Sequence, residues 1–356
     1  MKILFITRRI VNRGGQIVLT GLMHKLQEQG YDIHFVAFNP EGREDYPDGT
    51  APMYKGLDVE IRRIKAYDSD AEQCREYIDA AANYLKKNQN KYDRVILDSW
   101  YIAVSGVLAR CNLKTTFHLV QSDPHFAPQT ESKIWESRLF EVLPLFPTQR
   151  ILVSKNLQQV FKERHGQEYP AVDLYVDDIY RASDFTVRDT EAIRFVASAS
   201  DFNIPSKGLD FLLESMQRLK KPRSLTLVSG QPIARDLSGF DFPIATAVAR
   251  KPEEMVTLLR HHDVYLSAST QEAFGLALAE AITLGMPSIT VDSVGNRDYA
   301  KQGNCIFVEN PADLAAAMHT IYSLDVRRKL HKAARPSMAH YRLEEMVAQF
   351  KQFAAL

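Results

Sequence analysis

Apolar runs and amphipathic stretches alternate along most of the chain. KILFIT (2–7) is a continuous apolar run of buried-strand length, followed by a glycine pair, Gly14-Gly15, and by QIVLTGLMHKLQEQG (16–30), whose helical periodicity stops at Gly30. The same alternation continues with strands predicted at DIHFVAF, LDVEIRRIK, RVILD, TTFHLV and RILVS, and helices at AEQCREYIDAAANYLKK, IAVSGVLA and KNLQQVFKERHG. Strands separated by helices imply crossover connections, and therefore a parallel sheet covered on both faces. From 178 to 192 the periodicity fades and polar residues dominate, which predicts a linker. A second series follows: strands IRFVAS, SLTLVSG, DVYLSAS, PSITV and CIFVE, with helices at GLDFLLESMQRL, EEMVTLLRHH, 275–284 and near 297, then helices to the end. The expected architecture is two doubly wound parallel-sheet domains, 1–177 and 193–338, with a helix at 339–356 packing back on the first. Such domains face a central cleft at the carboxyl ends of their strands, where ligands bind.

Composition narrows this picture without changing it. The 356 residues suffice for two domains of ordinary size, and 45% hydrophobic residues give each a core. Lys plus Arg and Asp plus Glu both number 44, so no basic excess argues for nucleic acid, and any anionic ligand must be held locally. The three cysteines, Cys74, Cys111 and Cys305, are widely spaced and read as core thiols in a reducing compartment. MKILFITRRIV is too short and wrongly flanked for a signal peptide, and no run reaches membrane-span length, so the expected address is cytoplasmic.

Neither a G-x-G-x-x-G fingerprint nor a G-x-x-x-x-G-K-[ST] loop is present, which removes the simplest dehydrogenase and NTPase readings. Gly14-Gly15 fits a plain strand-to-helix turn and equally a backbone bare enough for a ligand to approach. Asp68-Ser69-Asp70 stands where a helix begins, so N-capping accounts for it better than a metal site. His261-His262 lies at a helix end, where interaction with the helix dipole suffices.

The segment 266–310 carries more chemistry. Glu272 precedes a helix N-terminus at Phe274-Gly275, and Glu280 lies within that otherwise apolar helix, where a buried carboxylate needs a partner. Backbone N–H groups of Phe274, Gly275 and Leu276 would be free to meet a phosphate. Glu280 stands about one and a half turns on, roughly 7 to 8 Å, a reach similar to that from a diphosphate to a ribose. Its carboxylate would then accept from ribose hydroxyls while Glu272 faces a sugar.

This stretch resembles the E-x7-E signature of retaining GT-B glycosyltransferases, most closely family 4, matched by Glu272 and Glu280 with AFG directly after the first. The resemblance extends to SKGLDFLLESM, SLTLVSGQP and RGGQIVLTGLMHKLQEQGYDIHFV, in the same order as in the family. It implies a GT-B fold: an acceptor-side first domain and a second domain that binds a nucleotide-diphosphate sugar. Lys207 would pair with the donor diphosphate, Glu280 with the ribose and Glu272 with the transferred sugar; the Phe274, Gly275 and Leu276 backbone would hold phosphate and sugar, and Gly14 and Gly15 would approach the donor. Judged without the family, Lys207 reads as a solvated lysine at a helix start.

Three departures stand out. The arginine usual before the K-G element is absent from FVASASDFNIPSKG, leaving Arg8, Arg9, Arg13 or Arg297 to supply the cation. A histidine usual after TTFHLV is replaced by Gln121, with Asp123 and His125 just beyond, and N-G-V-D is reduced to YVDD. LVQSDPHF is similar to an element of a subgroup that includes bacterial rhamnosyltransferases, although Asp123-Pro124 also reads as a turn. Asp123, Gln121 and His125 are the acceptor-side candidates, Asp123 to orient the acceptor. The resemblance implies a retaining glycosyltransferase that needs no cofactor and no metal. Its acceptor would be a glycan, a lipid-linked glycan or a protein, in bacterial cell-surface glycan assembly, with peripheral contact at the inner face of the membrane allowed. The rival readings are a non-catalytic partner subunit and a nucleotide-sugar epimerase of the same architecture.

Overall fold

A computed structural model describes residues 1–11, 14–121 and 148–356. The chain divides into two units, Met1–Leu174 with Leu343–Leu356, and Tyr175–Arg342.

In the first unit six parallel strands are ordered β3-β2-β1-β4-β5-β6: β1 (Lys2–Thr7), β2 (Asp32–Pro40), β3 (Asp58–Ile64), β4 (Arg94–Asp98), β5 (Thr116–Val120) and β6 (Gln149–Leu152). β1 is central and buried after its first residue, which is why KILFIT shows no alternation: both faces are covered. Helices α1 (Gly14–Glu28), α2 (Asp70–Asn88), α3 (Trp100–Leu108) and α4 (Lys155–His165) belong to this unit. Ser69 caps α2 by accepting from the Glu72 amide, as the Asp-Ser-Asp reading expected. The terminal helix, Leu343–Ala354, packs on α1: Lys25 pairs with Glu344 at 3.2 Å, Phe350 stacks on Phe5, and Arg94 donates to the Ala354 carbonyl at 2.9 Å.

The second unit repeats the arrangement. Its parallel sheet runs β12-β11-β10-β7-β8-β9, formed by β7 (Ile193–Ala199), β8 (Arg223–Ser229), β9 (Ile244–Ala247), β10 (Val264–Ser267), β11 (Ser288–Val291) and β12 (Ile306–Val308). The helices are α5 (Asp178–Ala182), α6 (Leu209–Arg218), α7 (Pro252–Arg260), α8 (Leu276–Leu284), α9 (Leu314–Thr320) and α10 (Leu324–Ser337), with the terminal helix becoming α11. The segment expected as a linker, 178–192, contains α5, and its Arg188 pairs with buried Asp263 at 2.7 Å. β9 escaped the sequence reading because it is a short edge strand with no fully buried residue, so its apolar signal is weak. Leu212, Leu213 and Met216 of α6, Leu225 and Leu227 of β8, and Leu314 and Met318 of α9 share one buried core.

Counted from the first strand of each unit, the two sheets have the same order, 3-2-1-4-5-6. Each therefore reverses direction between its first and fourth strands, β1/β4 and β7/β10. At such a switch point the loops leaving the carboxyl ends diverge and open a crevice.

Candidate active site

Lys207 and Glu272 leave the second unit's switch point from opposite sides, one after β7 and the other after β10. Lys207 ends a 3-10 turn, Pro205–Lys207, and Gly208 follows at φ +70°. A Cβ on Gly208 would lie 2.1 Å from the Ala268 carbonyl oxygen, so the two loops meet backbone to backbone only because residue 208 has no side chain. The Thr270 amide donates to the Ser206 carbonyl at 2.9 Å, and the Ser269 hydroxyl to the same oxygen at 3.1 Å. This contact brings Lys207 Nζ to 2.6 Å from Glu272 Oε1, which also lies 2.8 Å from Ser269 Oγ. Both charged side chains keep partial exposure, 18% and 25%, so the pair is formed yet reachable.

Glu272 is held rigidly. Its amide donates to the Ser293 carbonyl at 2.9 Å, and its carbonyl accepts from Gly295 at 3.0 Å. Between these partners Val294 sits at φ +69°, a strained conformation for a β-branched residue and one found where a site demands it. Phe274 is buried against Tyr299 and Tyr341, with ring centroids 4.9 and 5.5 Å away. That anchor turns the chain through Gly275, at φ +87°, into α8, and the Tyr299 hydroxyl donates to the Gly275 carbonyl at 2.6 Å. The first bond of α8 runs from the Ala279 amide to the Gly275 carbonyl. Amides before Ala279 thus have no carbonyl to meet within the helix, and α8 has no acidic residue in its first turn, a combination suited to an anion.

Glu280 lies one turn inside α8. Tyr180 of α5 and Asp177 stand near its carboxyl. Loss of hydration pushes Glu280 up to about 8, Asp177 adds to the rise, and Tyr180 opposes it. The phenols of Tyr175, Tyr180 and Tyr265 are raised by burial and by the Glu280 charge, and Tyr265 shares a 2.9 Å hydrogen bond with Ser198. The structure therefore gives Glu280 polar neighbours that the sequence reading did not name.

Arg297, a donor-binding candidate, is clasped by Asp292 through contacts of 2.5 to 2.9 Å, so its charge is already balanced. Arg8 lies over the Tyr101 ring, and Arg9 is lowered chiefly by burial beside Tyr77. Arg13, Asp123 and His125 lie outside the described residues. In the first unit Gly14 and Gly15 open α1, and a Cβ on Gly15 would lie 2.5 Å from Gln121 Oε1. Gln121 Nε2 donates to Asp98 Oδ1 at 2.8 Å, while Asp98 Oδ2 accepts from Thr7 at 2.8 Å and Gln16 at 3.3 Å. Asp98 is buried and raised by desolvation, against the bonds from Thr7 and Gln121.

His261 and His262 face the Thr257 and Leu258 carbonyls at the end of α7, at 2.7 and 2.8 Å, as the helix-end reading expected. Cys74, Cys111 and Cys305 are buried and free of disulfides, and burial pushes the Cys111 thiol up to about 11 and Cys305 to about 12. Among the described residues no group of three or more His, Cys, Asp or Glu side chains is placed to hold a metal, and no helix is long and apolar enough to cross a membrane.

Sequence reasoning missed Ser269, Tyr180, Val294 and Asp98. A serine, a tyrosine and a valine carry no motif; Asp98, the last residue of a central strand, had a positional signal that went unread.

Residues 192–323 match the family model described as Glycosyl transferases group 1. The GtfA subunit of UDP-N-acetylglucosamine–peptide N-acetylglucosaminyltransferase from Streptococcus parasanguinis is 30% identical over 112 residues, 28% of this chain and 22% of that protein. The match thus spans about a fifth of that relative's length. Among solved structures, sucrose-phosphate synthase from Thermosynechococcus elongatus superposes with a TM-score of 0.76 at 16% identity, covering 100% of this chain and 98% of the other. Anabaena Alr3699/HepE, solved in complex with UDP and glucose, gives a TM-score of 0.76 at 14% identity, with 100% and 99% covered. At these identities the likeness is one of fold. The chain has the GT-B fold of two Rossmann-like domains, and the match to the glycosyl transferases group 1 model lies within its second unit.

Proposed function

We propose that this protein is a retaining glycosyltransferase of family 4 that transfers a sugar from a nucleotide-diphosphate sugar to an acceptor hydroxyl. The observation that carries the reading is the joint placement of Lys207, Glu272 and the N-terminus of α8 at the second unit's switch point, inside the segment matched to the glycosyltransferase model. The Lys207 ammonium has three donors, of which Glu272 takes one, so it can also meet a diphosphate. Amides at Phe274, Gly275 and Leu276 face the same anion, Glu280 accepts from the ribose, and Glu272 faces the transferred sugar. As the glycosidic bond breaks, charge grows on the leaving diphosphate, and a fixed cation beside a helix N-terminus stabilises that charge without reorganising. In this arrangement a diphosphate oxygen takes the acceptor's proton, and neither a metal nor a cofactor is called for. The acceptor is a glycan, lipid-linked glycan or protein in cell-surface assembly; the partial likeness to a peptide-modifying subunit supports the protein acceptor.

A thermal-shift panel of UDP-, dTDP-, GDP- and ADP-sugars tests the reading, since a ligand that binds the native state raises Tm by linkage. One selective shift that persists in EDTA and is lost in Lys207→Ala supports it. No shift from any donor moves the weight to a non-catalytic partner subunit, and a donor converted without acceptor identifies an epimerase.

A further inference from the structure

We propose that Ser269 is a positioning residue for the donor sugar: its hydroxyl pins one oxygen of the Glu272 carboxylate and leaves the other to meet a sugar hydroxyl. The inference rests on the reading of Glu272 as the sugar-facing residue. Ser269 is buried to 6% exposure in the loop after β10, three residues before Glu272. Its Oγ lies 2.8 Å from Glu272 Oε1 and 3.1 Å from the Ser206 carbonyl oxygen. A serine hydroxyl has one proton, so the two acceptors compete for it. The Ser206 carbonyl already accepts from the Thr270 amide at 2.9 Å, and the Thr270 hydroxyl is a further donor at 3.4 Å. The carboxylate is nearer and charged, and a hydrogen bond to a charged acceptor is the stronger of the two. The Ser269 proton therefore goes to Glu272, and the junction between the two loops holds without it.

Occupancy of the carboxylate decides what is left for a ligand. Oε1 accepts from Ser269 and from Lys207, whose Nζ stands at 2.6 Å, while no donor among the described residues meets Oε2. The sugar-facing oxygen is thus Oε2. Lys207 is the less permanent of the two partners, because a bound diphosphate competes with Glu272 for the same ammonium. When Lys207 turns to the diphosphate, Ser269 keeps the carboxylate oriented. Backbone bonds to Ser293 and Gly295 fix only the main chain of Glu272, and the torsions of its side chain remain to be ordered. A buried donor at the carboxylate removes that freedom before the sugar arrives, so the ordering cost is not charged to binding.

The test is calorimetric titration of the full chain with free nucleoside diphosphates and their sugar nucleotides. The sets are UDP with UDP-glucose and UDP-N-acetylglucosamine, ADP with ADP-glucose, GDP with GDP-mannose, and dTDP with dTDP-glucose. The quantity read is the ratio of Kd for the sugar nucleotide to Kd for its nucleoside diphosphate, in wild type, Ser269→Ala and Glu272→Ala. For the set that wild type binds, Ser269→Ala should raise that ratio about tenfold, the size of one hydrogen bond to a charged group, with Kd for the nucleoside diphosphate within about twofold of wild type. A merely structural role would weaken both ligands alike and leave the ratio unchanged, which overturns the inference. If Glu272→Ala raises the ratio and Ser269→Ala does not, the inference is overturned and the sugar-facing reading stands. If Glu272→Ala keeps the wild-type ratio, or wild type binds none of the sugar nucleotides, the reading beneath it is overturned.

Discussion

The two switch points have the same topology and meet their charged groups differently. In the first unit the carboxyl ends of β1, β4 and β5 converge on Asp98, whose oxygens are taken up by Thr7, Gln16 and Gln121, and Tyr54 donates in turn to Gln16 at 2.7 Å. That network is closed and buried. In the second unit Lys207 and Glu272 form a partly exposed pair beside a helix N-terminus, and loss of hydration raises the Glu280 carboxyl. The difference teaches that strand order supplies only the crevice; whether it is sealed as a structural knot or left open for a charged ligand depends on which side chains end the strands.

The comparison breaks most visibly at Lys207. Lys207→Ala should lower kcat/KM for sugar transfer by about a hundredfold or more, the size of an electrostatic contact to developing charge, in a steady-state assay of the folded variant. Glu272→Gln should abolish transfer yet keep nucleotide affinity, which titration checks. An equal loss of nucleotide binding would count against a sugar-facing role.

Gly208→Ala comes next. A Cβ 2.1 Å from a backbone oxygen, at positive φ, should cost about 2 kcal/mol or more and separate the Lys207 and Glu272 loops. Denaturant unfolding and donor titration would both register it.

Asp98→Ala should destabilise the protein by about 1 to 3 kcal/mol, because buried donors on Thr7, Gln16 and Gln121 lose their acceptor. Its transfer rate, measured where the protein is folded, should change little. A large rate loss without a stability loss would make the first switch point a working site and erase the contrast.

Glu280 sharpens the comparison through pH. Its folded pKa, about 8, lies above the unfolded value, so the folded state holds the proton more tightly. The stability this contributes is fully present below the unfolded pKa and is lost as pH rises to about 8, at a rate on the order of 1 kcal/mol per pH unit at most. Glu280→Gln removes that dependence, so wild type should lose more Tm than the variant between pH 5 and pH 8. The smallest effect belongs to Arg297→Ala: its exposed pair with Asp292 should contribute about 1 kcal/mol or less, and donor affinity should stay within about twofold.

Much of the fold was legible in local pattern. Continuous apolar runs marked the buried strands, Ser69 marked a helix start, and the spacing of Glu272 and Glu280 placed two carboxylates before and within one helix. The edge strand β9 was not legible, since it is four residues long and none of them is fully buried. Nor was it legible that 178–192 belongs to the second unit, because α5 is five residues long and owes its place to tertiary contacts.

By itself the sequence determined the parallel, doubly wound class, the repeat of that class in two halves, and the residue types gathered after β7 and β10, because periodicity and motif spacing are local properties of a chain. Only the tertiary structure decided that Lys207 meets Glu272 and that Arg297 is claimed by Asp292. Hydrogen bonds and ion pairs form between groups that folding brings within reach, and separation along the chain carries no record of which pairs those will be.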